Sequence, residues 1–182
     1  MEGDRVTGYS YRPLRLPADG AMLDQLNTSF EGDSVYAVSV TDHGIAWRLK
    51  QAPPFTKTYD LSEWRDSDRL WDQGWVAETT GQIVGFVGFR VEDWNRRCII
   101  WHLYVDSAFR RQGIARNLLR HAAEAGQRLG AQLLWLEVTN VNVAAIATYR
   151  ALGFQICGVD ATLYQCTDAP TETALFMARP IE

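Results

Sequence analysis

Residues 98–138 read CIIWHLYVDSAFRRQGIARNLLRHAAEAGQRLGAQLLWLEV. The stretch opens on an unbroken apolar run, CIIWHLYV at 98–105, of the kind a central strand shows. It closes on a second buried run, LLWLEV at 133–138. Between them Ile114, Leu118, Ala122, Ala125 and Leu129 recur every three or four residues, which is the apolar stripe of an amphipathic helix. Gly130 is its stop signal. Strand, helix and strand in this order predict a parallel pair joined by a right-handed crossover.

The flanks add antiparallel pieces. Downstream, Asn142 is a good N-cap for a helix through Leu152, and Gly153 ends it. FQICGV (154–159) and TALFMAR (173–179) supply late strands. Upstream, residues 75–90 read as a hairpin with Thr80, Gly81 and Gln82 near its turn. VYAVSV (35–40) and IAWRLKQ (45–51) are strand-like, with the turn signal TDHG between them, and Ala52-Pro53-Pro54 breaks the pattern. Leu61, Trp64 and Trp71 stand at rough helical spacing, and a short helix is expected within residues 18–30. The expected fold is therefore α/β, with a mixed, mostly antiparallel sheet around a central parallel pair flanked by helices.

The crossover stretch also raises a question of charge. Arg110, Arg111 and Arg116 gather at the first turn of the central helix. A helix start already carries partial positive charge and unpaired N–H groups, so cations there call for an anion. The loop follows a central strand, where α/β units settle anionic ligands. Gly113 lets backbone approach a ligand closely. A pyrophosphate is a suitable guest, although neither GxxxxGK[ST] nor GxGxxG is present. A solvated arginine cluster is the alternative reading.

Bulk composition narrows the classes. The chain has 182 residues, 47% of them hydrophobic and 22% charged, which suits one globular domain with a real core. The net charge of −4 argues against a nucleic-acid binder. The three cysteines, Cys98, Cys157 and Cys166, form no CxxC, so no disulfide framework and no metal site is expected, and all three read as packing residues of a cytoplasmic protein. No apolar leader and no run near ~18 apolar residues occurs, so no membrane association is expected.

Arg110-x-x-Gly113-x-Ala115 resembles the R/Q-x-x-G-x-G/A signature of the GNAT N-acetyltransferases. LWLEVTNVNVAAIATYRALGF (134–154) resembles the second motif of the same family, with Leu136, Val138, Asn142, Ala145, Tyr149, Gly153 and Phe154 in place. This resemblance covers about residues 75–180 and implies one domain over 1–182, with a divergent part at 1–74. A narrower likeness runs to both ends of the chain. LNTSF (26–30), WNRR (94–97), LWLEVTNVN (134–142), CGVDATLY (157–164) and ALFMA (174–178) resemble segments of the streptothricin acetyltransferases, which acetylate an amine of a cationic antibiotic.

The resemblance implies acetyl-CoA as co-substrate, with its pyrophosphate on Arg110, Arg111, Gln112, Gly113, Ile114, Ala115 and Arg116. The backbone of Leu103, Tyr104 and Val105 is expected to face its acetyl and pantetheine groups. Asn142 either touches the cofactor or only caps its helix. Acetyl transfer to an amine needs a neutral nucleophile, donors for the developing oxyanion and a proton for the leaving thiolate. Tyr149 is the candidate acid. Glu137 is a candidate base, twelve residues before it, as in the ribosomal-protein alanine acetyltransferases. His102 is the rival base, standing where streptothricin enzymes tend to carry a carboxylate, and a water chain is a third route. Asp160, Glu92, Asp93 and Trp94 are candidates for the acceptor's charge, and Trp64, Trp71 and Trp75 could join Trp94 in lining a cleft. The expected partner is a small-molecule amine, and assembly as a homodimer is left open. Protein N-terminal or lysine acetylation and a non-catalytic acyl-CoA-binding module are the competing functions.

Overall fold

A computed structural model describes residues 8–181. They fall into two compact units, one of residues 8–29, 58–134 and 181, the other of residues 30–57 and 135–180.

In the first unit four strands run in the order β1 (Ser10–Pro13), β4 (Gln73–Thr79), β5 (Gln82–Glu92) and β6 (Arg97–Val105), each antiparallel to its neighbour. The expected hairpin is β4–β5, turning through Thr80 and Gly81, both with positive φ, the conformation that matches strand twist in two-residue loops. No strand is expected from the sequence at β1, yet Tyr9 and Tyr11 are buried on alternate positions. β5 is buried from Ile83 to Phe89. α2 (Ile114–Arg128) packs on β5 and β6 through Ile114, Leu118, Ala122 and Gly126. Leu129, expected on that stripe, falls just past the last helical residue and is exposed.

The other face of β5 meets a cluster of Leu23, Leu26, Leu61, Trp71 and Phe86. A short helix forms within 18–30 as expected, whereas the helical spacing of Leu61, Trp64 and Trp71 does not give a long one. α1 covers only Gly20–Leu23, and Leu61 to Trp71 contains one 3-10 turn, Ser62–Arg65. Asp60 fixes that turn by accepting from the Ser62 N–H at 2.8 Å, and Trp71 is drawn into the core from irregular chain.

The second unit holds a long two-stranded ribbon, β2 (Phe30–Thr41) with β3 (Gly44–Lys57), and the strands β7 (Leu133–Thr139), β9 (Ala174–Pro180) and β8 (Gln155–Asp160) in that order. β3 runs straight through Ala52-Pro53-Pro54, which was expected to interrupt it. The ladder skips there: Ser34 pairs with Gln51 and Gly32 with Phe55, so the prolines sit in a bulge that asks for no N–H donor. α3 (Val143–Ala151) follows β7, capped by Asn142 and closed before Gly153 as expected.

Candidate active site

The stretch between β6 and α2 is built by its own side chains. Asp106 accepts from the N–H of Ala108 at 3.0 Å and of Asn27 at 3.1 Å, and Asn27 donates to the Ser107 hydroxyl at 3.0 Å. Arg110 donates to the Val105 carbonyl at 3.0 Å and to the Ser29 carbonyl at 2.5 Å. Its guanidinium therefore shapes the loop, and burial pushes its pKa down. Tyr9 donates to the Gln112 carboxamide at 2.6 Å. Arg111, Gly113 and Arg116 are exposed.

Gly113 is the N-cap of α2 with φ of +81°, and no side chain caps the helix. A Cβ built there meets nothing within 4 Å. The glycine is thus required by its left-handed backbone, and the space in front of it is open. No acidic residue stands in the first turn. Free N–H groups, an open approach and two exposed arginines fit a pyrophosphate.

β6 carries the next elements. Gly88 pairs with His102 and Phe89 with Ile100, so Trp101 is the extra residue of a bulge. Gly88 leaves room for three rings: a Cβ there would lie 2.9 Å from Phe86, 3.2 Å from Trp71 and 3.3 Å from His102. His102 Nε2 contacts a carboxylate oxygen of Glu63, and the Trp71 indole N–H donates to the same oxygen at 2.9 Å. His102 Nδ1 is buried without a partner.

In the second unit Tyr149 lies on α3, 9% exposed, with its ring 5.7 Å from Phe154. The Asn142 carboxamide accepts from the Ala145 N–H at 3.1 Å, the capping role proper. Glu137 on β7 accepts from the Tyr164 hydroxyl. Burial raises its pKa, and Tyr164 and Lys57 pull in the other direction. Lys57 donates to both oxygens of Glu172 at 2.6 Å, and Thr139 donates to Glu172 as well. Lys57, Tyr164 and Glu172 were not singled out from sequence, although Tyr164 ends the CGVDATLY segment. Glu63 was hidden in the stretch misread as helical.

The expected acceptor residues are not gathered. Glu92 ends β5, and Asp93 and Trp94 belong to the β5–β6 turn, with Trp94 83% exposed. That turn precedes Arg97, whereas the arginine loop follows Val105 at the other end of β6. The nearest backbone position expected to face the acetyl group, Leu103, lies six residues along β6 from Arg97, about 20 Å of strand. Asp160 accepts from the Thr162 N–H at 2.7 Å, the Thr162 hydroxyl at 2.7 Å and the Leu163 N–H at 3.0 Å, so the oxygen concerned builds a turn.

The tryptophans do not line a common cleft either. Trp71 is core, Trp75 stacks on His121 at 4.2 Å, and Trp64 donates to Asp24 at 2.8 Å. A cleft of about 570 Å³ does occur in the first unit, lined from residues 23–28 and 58–65, with Asp24, Asp60 and Arg65 on it. Cys157 and Cys166 are exposed, against the packing role expected of them. Cys98 is buried, which pushes its thiol up to about 12 and leaves it inert as a nucleophile. Among the described residues no group of three or more His, Cys, Asp or Glu could hold a metal ion, and no helix is long and apolar enough to cross a membrane.

A helix start open to an anion, after a bulged strand and before a strand and helix carrying Glu137 and Tyr149, defines an acyltransferase of the GNAT class. The family model for the acetyltransferase (GNAT) family matches residues 42–154, and the chain belongs to that family. The match starts well before residue 75, so part of the segment read as divergent lies inside it. Streptothricin acetyltransferase of Streptomyces lavendulae is 39% identical, covering 94% of this chain and 95% of that one. The crystal structure of nourseothricin acetyltransferase superposes with a TM-score of 0.86 at 36% identity, over 97% of this chain and 100% of the other. A Bacillus anthracis protein solved in complex with acetyl coenzyme A shares the fold, with a TM-score of 0.78 at 24% identity over 94% and 99% of the two chains. The protein is an N-acetyltransferase with the mixed α/β fold of these neighbours.

Proposed function

We propose that this chain moves the acetyl group of acetyl-CoA onto a primary amine of a small cationic antibiotic of the streptothricin class. The observation that carries this is the likeness to a streptothricin acetyltransferase over 94% of the chain, well beyond the cofactor motifs.

Each residue then has a task. The N–H groups at the start of α2, with Arg111 and Arg116, hold the pyrophosphate, and Gln112, Ile114 and Ala115 shape that cradle. Arg110 holds the loop to β6. The backbone of Leu103, Tyr104 and Val105 receives the pantetheine and acetyl groups. Glu137 takes a proton from the acceptor ammonium. The freed amine attacks the thioester carbonyl, a C–N bond forms and the C–S bond breaks. Tyr149 gives its phenolic proton to the departing thiolate, since a phenol with a reference pKa near 10 is protonated at neutral pH, and the second proton lost by the acylated nitrogen restores the phenol.

Burial favours Glu137 as the base. A raised carboxyl pKa makes its carboxylate a better proton acceptor, and the Tyr164 hydroxyl fixes it. His102 is less suited, because Nε2 is engaged by Glu63 and Nδ1 is sealed from solvent.

Expression in a streptothricin-sensitive bacterium tests the function. Growth at drug levels that stop the control, with acetylated drug in the medium, is the expected outcome. Growth arrested as in the control, with no acetylated drug, rejects it and moves peptide amines to the front.

A further inference from the structure

We propose that Glu63 is the carboxylate that receives the acceptor's ammonium group, and that His102 is the positioning residue that holds Glu63 for it. This rests on the streptothricin-class reading above.

Glu63 is anchored at one oxygen only. Oε1 accepts from the Trp71 indole N–H at 2.9 Å and from His102 Nε2. Both donors are packed in place: Trp71 is 2% exposed, and the His102 side chain is 11% exposed. Their rings lie 5.7 Å apart, edge to face, over the space that Gly88 leaves empty. Oε2 takes no hydrogen bond from any described residue, and the Glu63 side chain is 46% exposed. One oxygen fixed from inside and one presented outward is the arrangement a receptor for a cation needs. A carboxylate held only by solvent would lose rotamer freedom on binding.

The charge is also right. The ionised carboxylate accepts from the proton that His102 carries on Nε2. The Trp71 indole N–H orients Glu63 without offsetting its charge. The His102 hydrogen bond holds the Glu63 carboxyl below its ordinary value, so it is ionised at neutral pH.

Position ties the pair to the reaction. His102 precedes by one residue the 103–105 backbone assigned to the acetyl group, and its ring is 5.8 Å from that of Tyr104. Ser62 and Arg65, in the same 3-10 turn as Glu63, line the cleft. Arg65 is paired with Asp24 at 2.5 Å, and Arg69 lies 5.0 Å over the Trp71 ring.

Steady-state kinetics with streptothricin and acetyl-CoA test this in three proteins: wild type, Glu63→Gln and His102→Phe. Glu63→Gln keeps the acceptor oxygen and the shape and removes the charge. Its KM for streptothricin should rise about tenfold or more, with kcat within about twofold and with KM for acetyl-CoA and the melting temperature unchanged. His102→Phe should raise the same KM, because Glu63 loses its main tether. An unchanged streptothricin KM in Glu63→Gln overturns the proposal. So does a His102→Phe protein that loses kcat with KM unmoved, because His102 would then be the base and Glu63 its orienting partner. A wild type that leaves streptothricin unmodified refutes the substrate reading instead, and this inference falls with it.

Discussion

α2 and α3 begin in opposite ways. α2 starts at Gly113, with φ of +81°, no capping side chain and no acid in its first turn. α3 starts at Asn142, whose carboxamide accepts from the Ala145 N–H at 3.1 Å. Both starts have the same unpaired N–H groups and the same partial positive charge. At α3 the chain satisfies one of them with its own oxygen. At α2 it leaves them open, adds exposed arginines and ties Arg110 back to carbonyls so that the loop keeps its shape. A helix start left uncapped and made more positive is prepared for a ligand, whereas a capped one serves the fold.

The largest effect is expected at Gly113. A Cβ meets no neighbour there, so a substitution acts through the left-handed backbone and through charge alone. Gly113→Asp should weaken acetyl-CoA binding by about a hundredfold in calorimetry, and Gly113→Ala, with the strain but no charge, by less. Undiminished affinity in Gly113→Asp would erase the difference between the two helix starts.

Tyr149 comes next. Tyr149→Phe should lower kcat by about 10²-fold while acetyl-CoA still binds, because α3 contributes a reacting group and its start contributes none. Wild-type turnover would make Tyr149 a packing residue beside Phe154.

Asn142→Ala sharpens the contrast from the other side. Losing a cap costs about 1 kcal/mol, a fall in Tm of about 2–4 °C for a chain of this size. KM for acetyl-CoA should hold. A raised KM with an unchanged Tm would make the start of α3 a second ligand site.

The smallest effect is a shift in pH. Glu137 must be ionised to act as base, so kcat/KM falls as pH drops through its carboxyl pKa, which burial has raised. The Tyr164 hydrogen bond favours the ionised form. Tyr164→Phe should therefore move the acid limb of the pH profile to higher pH. A limb that stays in place would take Glu137 out of the base role.

Periodicity made the strand–helix–strand core legible, because β6, α2 and β7 bury continuous or regularly spaced apolar faces. The arginine loop was legible for a different reason: charge at a helix start has few structural uses. The first third was harder to read. Leu61, Trp64 and Trp71 keep helical spacing, but Asp60 and Asp24 tie down a single 3-10 turn and the rest is turn and irregular chain. The prolines of β3 misled because a bulge, invisible in one strand's sequence, removes the need for their missing N–H. The acceptor side was least legible. Asp160 and Asp93 look alike as exposed-type carboxylates, yet one builds a turn with its own neighbours and the other lies in the β5–β6 turn. Glu63 gains its role only from two donors that follow it by 8 and 39 residues.

The central claim is acetyl transfer to a streptothricin amine. Its most direct measurement is mass spectrometry of streptothricin incubated with the purified chain and acetyl-CoA. The account predicts a product carrying one added acetyl group, formed in step with free CoA and absent with Tyr149→Phe on the same timescale. Unmodified streptothricin after exhaustive incubation, from a protein that does acetylate an N-terminal peptide, would contradict it.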